Sequence, residues 1–276
     1  MSSFRSRLAP TVSGFLHLGN AYSFLLTSQL VKNNKGKLFL RIDDADSDRN
    51  RTEFLKDIFD GLNFLGIEWD EGPRDEKDFN ENYLRQNRMS LYMDALKKLI
   101  ENGHVFACEC SRKQLQHIGG RYPGTCEQKK IPINTPGTVL RMRVEKGTIV
   151  TFTDEHLGEQ KINLDEAVGS FVILKRDHTP GYHLFSVIDD LHFKINFIVR
   201  GSDLIASSAA QVFLAEKLWN NDFYKTKFFH HILLPDELGQ KLSKSEGALS
   251  LKTMREKGLT REDVLMKLKP LLQLGK

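Results

Sequence analysis

The stretch from residue 5 to residue 42 constrains the fold more than any other part of the chain. Residues 5–9 read as a strand stopped at Pro10, residues 20–33 as a helix closed by Gly36, and residues 37–42 as a second strand. A strand, a crossover helix and another strand at this spacing form a βαβ unit, and such units build parallel sheets covered by helices. Two helical stretches follow, 52–64 and 82–102, the second ending at Gly103. The pattern breaks between residues 105 and 165, where all three cysteines fall among several Gly and Pro and short β-rich pieces at 139–144 and 149–153. It resumes with strands at 171–174 and 194–199, a helix at 207–219 and a strand at 227–234, then a polar loop at 239–247 and short helices. The expected class is α/β with a parallel sheet. Residues 1–104 and 166–235 form its body, 105–165 an inserted subdomain, and 236–276 a loop with closing helices.

Composition narrows the class of protein. At 276 residues, 40% hydrophobic and 28% charged, the chain has ample core for one large or two small soluble domains. Forty basic against 36 acidic residues give a net charge of +4, which permits a nucleic-acid partner without demanding one. No stretch approaches the roughly 20 apolar residues of a membrane span, and residues 1–10 hold no apolar signal core. Three cysteines, two of them one residue apart, argue against a disulfide scaffold. A cytoplasmic, reducing location with free or metal-bound thiols is expected.

Two motifs carry chemistry. In the run from Arg7 to Asn20, a strand enters a Pro/Gly loop and His17, Gly19 and Asn20 open a helix. A helix N-terminus offers unpaired N–H groups and a partial positive charge, and a glycine lets an anion approach the backbone. His17 adds a donor for a phosphate oxygen, although a His-x-Gly pair at a helix start is more often structural. Near the other end, Lys241 and Lys244 stand three apart in a loop flanked by Gly239 and Gly247. Such a loop is a cationic arm suited to a polyphosphate, while a solvated basic loop is the commoner case. No Walker A run and no Gly-x-Gly-x-x-Gly is present. A third feature is Cys108-Glu-Cys110 followed by Tyr122-Pro-Gly-Thr-Cys126. Three soft ligands suit Zn²⁺, which takes four in tetrahedral geometry. Cys108, Cys110 and Cys126 leave the fourth open, with His104 and His117 nearby, and buried structural thiols are the plainer alternative.

The paired motifs resemble those of the class I aminoacyl-tRNA synthetases. In that family the first binds ATP, and the second lysine of the other stabilises the pyrophosphate side of the transition state. The resemblance implies a Rossmann-like catalytic domain, ATP binding by His17, Gly19, Asn20, Lys241 and Lys244, catalytic roles for His17 and Lys244, and Mg²⁺ entering with ATP. Residues 7–11, 40–44, 66–70 and 199–203 resemble the glutamyl branch, with matches from about 5 to about 248. Carried across, Arg7, Leu8, Ala9, Pro10 and Thr11 hold the L-glutamate side chain, Asp43 meets its ammonium, and Tyr182 and Arg200 complete the pocket. The family usually has Glu where this chain has Asp43, and the fourth residue of the first motif is Asn20 rather than His, a position tolerated in this branch. The cysteine run, Tyr122 included, resembles the short glutamyl paralogues that glutamylate queuosine in tRNA(Asp), in which Tyr122 is the fourth ligand of a structural Zn²⁺. Little sequence follows Lys244, so no helical anticodon-binding domain is expected, and a monomer acting on queuosine-bearing tRNA(Asp) is favoured. A truncated glutamyl-tRNA synthetase charging a 3′ end and a non-catalytic zinc-stabilised tRNA- or nucleotide-binding paralogue are the alternatives.

Overall fold

A computed structural model describes residues 4–44, 52–117, 122–219, 223–234 and 250–274. Its first elements are β1 (Arg5–Leu8), α1 (Leu18–Asn33) and β2 (Lys37–Leu40), the expected βαβ unit. The two strands are parallel, with Arg5 opposite Lys37 and Leu8 opposite Leu40. Next come α2 (Thr52–Leu65), the short α3 (Glu76–Asp78), α4 (Met89–Glu101), β3 (Val105–Cys108), α5 (Arg112–His117) and β4 (Val139–Met142). The hairpin β5 (Ile149–Asp154) and β6 (Gly158–Asn163) leads to α6 (Leu164–Ala167), β7 (Val172–Leu174), α7 (Tyr182–His192) and β8 (Phe197–Gly201). The chain continues through α8 (Ile205–Lys217), β9 (Lys227–His231), α9 (Leu251–Glu256) and α10 (Arg261–Leu274). No described helix is long and apolar enough to cross a membrane.

Contacts group the chain into two compact units. One comprises Met1–Asn87, Ile195–Asp203 and Lys227–Lys276, the other Arg88–Lys194 and Leu204–Thr226. In the first, β8 and β9 are parallel, Phe197 opposite Lys227. Asn196 ties β8 to β1, its N–H donating to the Arg5 carbonyl at 3.0 Å and its side-chain oxygen accepting the Arg5 N–H at 2.8 Å. The amphipathic period of α2 puts Leu55, Ile58, Phe59, Leu62 and Leu65 in the core with Leu8, Leu40, Val199 and Phe229. Each such side chain contributes about 1.5–3 kcal/mol by leaving water.

The second unit is held by different means. β3, β4 and β7 form an antiparallel sheet in that order, and β5 and β6 pair from Ile149–Asn163 to Asp154–Gly158. A buried polar cluster joins the start of α4 to α7. Arg88 clamps Asp189 with Nε and Nη2 at 2.8 and 3.1 Å, and the Tyr92 hydroxyl donates to Asp189 at 2.6 Å.

The expected helix at 82–102 is broken. Asp75 caps Asp78 and starts helical structure early, and a π turn covers Phe79–Tyr83. Leu84 is extended (φ −55°, ψ 139°), and the Arg85 N–H goes to the Asp44 carboxylate rather than to a helical carbonyl. A 3₁₀ turn, Arg85–Arg88, then enters α4. The elements absent from the sequence reading include α7, whose helix carries two buried aspartates, and β6, whose side chains are nearly all polar. The polar loop at 239–247 lies outside the described residues.

Candidate active site and a three-thiol cluster

Apart from Tyr182, the residues expected to bind glutamate sit at or just beyond the carboxyl ends of the parallel strands of the first unit. Arg7 is the penultimate residue of β1 and is buried, with Nη1 donating to the Val199 carbonyl at 3.3 Å. Arg200, the penultimate residue of β8, is also buried and lays its guanidinium over the Phe228 ring at 5.2 Å. Beyond the strands, the first loop and the second run on side by side. The Leu8 carbonyl accepts the Arg41 N–H at 2.9 Å, and the Pro10 carbonyl accepts the Asp43 N–H at 2.8 Å. Thr11 bridges Asp43 in parallel, and the Val12 N–H returns to the Asp43 carbonyl. Leu8 and Pro10 are buried, Ala9 half-buried and Thr11 exposed. Open sheets of this kind bind ligands beyond the carboxyl ends of their strands.

Asp43 has a partner that sequence reading missed. Arg41 grips its carboxylate with Nε at 2.8 Å and Nη2 at 3.1 Å, both side chains being buried. A signal was present: in extended chain, residues two apart share a face.

His17 is the N-cap of α1, in extended conformation. Its Nδ1 accepts the Gly19 N–H at 3.1 Å, so the proton of the neutral ring belongs on Nε2, the donor that a phosphate oxygen needs. Gly19 lets the ring fold over the first turn: a Cβ there would lie 3.0 Å from the imidazole. Asn20 completes a capping box, its side-chain oxygen accepting the His17 N–H at 3.0 Å. The residue that departs from the family's usual His therefore has a local task in shaping this turn.

Tyr182 belongs to the second unit, as the first residue of α7, half-exposed and edge-on to Phe185. Lys241 and Lys244 lie outside the described residues.

The three cysteines come together. Their Sγ atoms all lie within 4.8 Å of one another, and Cys110 and Cys126 are 3.5 Å apart. Cys108 and Cys126 are buried, and no disulfide joins them. The Tyr122 hydroxyl, packed in the same cluster, accepts the N–H of Cys126 at 2.6 Å and of Glu127 at 3.1 Å. Burial pushes this phenol up to about 12. Burial also pushes the Cys126 thiol up, but the Glu109 backbone and the neighbouring thiols outweigh it and bring Cys126 down to about 7. Three converging sulfurs form a donor set that fits Zn²⁺. His104 is not part of this group, and the His117 side chain lies outside the described residues.

Residues 3–272 match the model of tRNA synthetases class I (E and Q), catalytic domain. The chain belongs to this family. It is 34% identical to glutamate–tRNA ligase 2 of Syntrophus aciditrophicus (strain SB) over 95% of this chain and 56% of that protein. Identity is again 34% to a glutamate–tRNA ligase of Hydrogenobaculum sp. (strain Y04AAS1), over 92% and 55%. The chain thus spans about half the length of the curated relatives it matches. Among solved structures, a glutamate–tRNA synthetase from Elizabethkingia anophelis superposes with a TM-score of 0.72 at 24% identity, over 94% of this chain and 54% of that one. A glutamate–tRNA ligase from Elizabethkingia meningosepticum, solved in complex with its amino acid, gives 0.71 at 23%, over the same shares. These likenesses show that the fold is the class I synthetase catalytic fold.

Proposed function

We propose that this protein activates L-glutamate with ATP and transfers it to a tRNA. The observation that carries the reading is the placement, within one unit, of two buried guanidiniums, a carboxylate and a His-capped helix N-terminus at or beyond the carboxyl ends of parallel strands. A dianionic amino acid suits Arg7 and Arg200, its ammonium suits Asp43, and a triphosphate suits the first turn of α1. The family of the relatives supports the same choice.

The chemistry needs no side-chain nucleophile. A glutamate carboxylate oxygen attacks the α-phosphorus of ATP, the bond to the bridging oxygen breaks, and pyrophosphate leaves with that electron pair. His17 Nε2 donates to the phosphate, and Lys244 neutralises charge on the departing pyrophosphate. Mg²⁺ entering with ATP would supply further charge neutralisation for the phosphates. A tRNA hydroxyl then attacks the acyl carbon, losing its proton, and AMP departs. Positioning and electrostatics supply the acceleration. Cys108, Cys110 and Cys126, with Tyr122 as the fourth ligand that the resemblance implies, would hold a Zn²⁺ that fastens the segment between β3 and β4 and stays outside the reaction.

For the acceptor, the favoured reading is queuosine in tRNA(Asp), supported by the Cys-x-Cys and Tyr-Pro-Gly-Thr-Cys pattern and by the packing of Tyr122 among the three thiols. The names of the relatives favour a second reading, charging of the 3′ end of tRNA(Glu). ATP–pyrophosphate exchange tests the activation step. Exchange is expected with glutamate alone, without tRNA, and Lys244→Ala is expected to lower it about 10²-fold, as for loss of one transition-state contact. Exchange with no amino acid, or a fully active Lys244→Ala, refutes the assignment.

A further inference from the structure

Leu16 and His17, which lead into α1, are joined by backbone to a segment far along the chain. His17 pairs with Ser250 in an antiparallel bridge, and the Leu251 N–H donates to the Leu16 carbonyl at 2.7 Å. One side chain stands behind this junction. Asp57 on α2 is 3% exposed; its Oδ2 accepts the Leu16 N–H at 3.0 Å and its Oδ1 accepts Arg255 Nη2 at 2.6 Å. Gly61, one turn along α2, leaves room for the approach, since a Cβ there would lie 2.9 Å from Leu16 Cδ1. Every one of these residues belongs to the first unit.

A carboxylate on the buried face of an amphipathic helix costs several kcal/mol unless its oxygens are satisfied. Here each oxygen goes to a different segment, one directly before the α1 cap and one in α9. An apolar residue would fill the space, but only an acceptor bonds the Leu16 N–H, and only a negative charge also holds Arg255.

We propose that Asp57, together with Arg255, is a positioning residue for the activation step. It fixes the start of α1, and with it His17, against the segment that follows the Lys241–Lys244 motif in sequence. The inference rests on the reading that this helix start receives the phosphates of ATP. A helix terminus stabilises developing charge only when its N–H groups stay in register with the reacting atoms, and a misplacement of about 1 Å costs about 10²-fold.

The test compares Asp57→Asn, Arg255→Met, Arg255→Lys and the Asp57→Asn/Arg255→Met double variant with the parent. Asp57→Asn keeps an acceptor for Leu16 and removes the charge; Arg255 is a fifth exposed at its side chain, so its variants should fold. Glutamate-dependent pyrophosphate exchange is measured per titrated active site, alongside amide hydrogen exchange of peptides 16–21 and 250–256. Expected are a roughly tenfold fall in kcat for each of Asp57→Asn and Arg255→Met, an unchanged glutamate KM, and partial rescue by Arg255→Lys. The double variant should be no worse than either single, because both break one linkage. Both peptides should exchange faster in Asp57→Asn. Unchanged kcat per titrated site, whatever happens to Tm, would show a merely structural role and overturn the proposal. A parent without glutamate-dependent exchange would sink the functional reading instead; the tie itself would then stand or fall on the protection of the two peptides.

Discussion

Asp43 answers to two demands at once. As the expected partner of the substrate ammonium it needs an accessible oxygen, and as the partner of buried Arg41 it is gripped at both oxygens. The two fit together if Arg41 orients the carboxylate toward the substrate. Substitutions should therefore separate two effects. Asp43→Ala is expected to lose stability by about 3–5 kcal/mol, because it strands a buried guanidinium, and to raise the glutamate KM. Asp43→Asn keeps the shape and removes the charge, so its main effect should be a glutamate KM higher by about tenfold or more, in line with loss of one charged contact. Exchange kinetics and urea unfolding on both variants check this. An unchanged KM would place the ammonium on another residue.

Among the elements, the polar cluster between α4 and α7 and the thiol cluster beyond β3 make opposite predictions about charge. Asp189 is buried with Arg88 and Tyr92, and burial, with the aspartate charge beside it, pushes the Tyr92 phenol far above its ordinary value. Asp189→Ala removes the carboxylate that Arg88 clamps inside the second unit and should destabilise it by about 3–5 kcal/mol. A urea midpoint equal to that of the parent would show that water satisfies Arg88. The thiols, by contrast, form the donor set proposed above to hold a cation. Metal analysis of protein purified without chelator should give near one Zn per chain, and Cys108→Ser should lose it and loosen residues 105–142. Metal-free protein with parent stability would leave the three cysteines as packing residues.

For the molecule as a whole, the outstanding matter is the acceptor. On the proposed function, a net charge of +4 would supply phosphate affinity with little identity, leaving discrimination to the group that enters the site. Labelled glutamate is expected to pass to tRNA(Asp) containing queuosine and not to the same tRNA transcribed without the modification. Nuclease mapping should place the label in the anticodon loop. Label on the 3′ adenosine of tRNA(Glu), with the queuosine-bearing tRNA inert, would establish the second reading.

Much of this was legible before any coordinates. The βαβ unit at 5–42 is encoded by local periodicity and breakers, and the His17–Gly19–Asn20 turn by residues that hydrogen-bond within three positions of one another. The cysteine run also marked a cluster, because a Cys-x-Cys pair followed by a third thiol is a pattern of converging sulfurs. What the tertiary structure alone decided involves partners remote along the chain. Asp189 sits 101 residues from Arg88, and Arg255 sits 198 from Asp57. The break at Leu84 depends on Asp44, 41 residues before Arg85. Local pattern reports which face of an element is apolar; it is silent on which distant charge makes a buried carboxylate tolerable, because that depends on where folding brings the segments together.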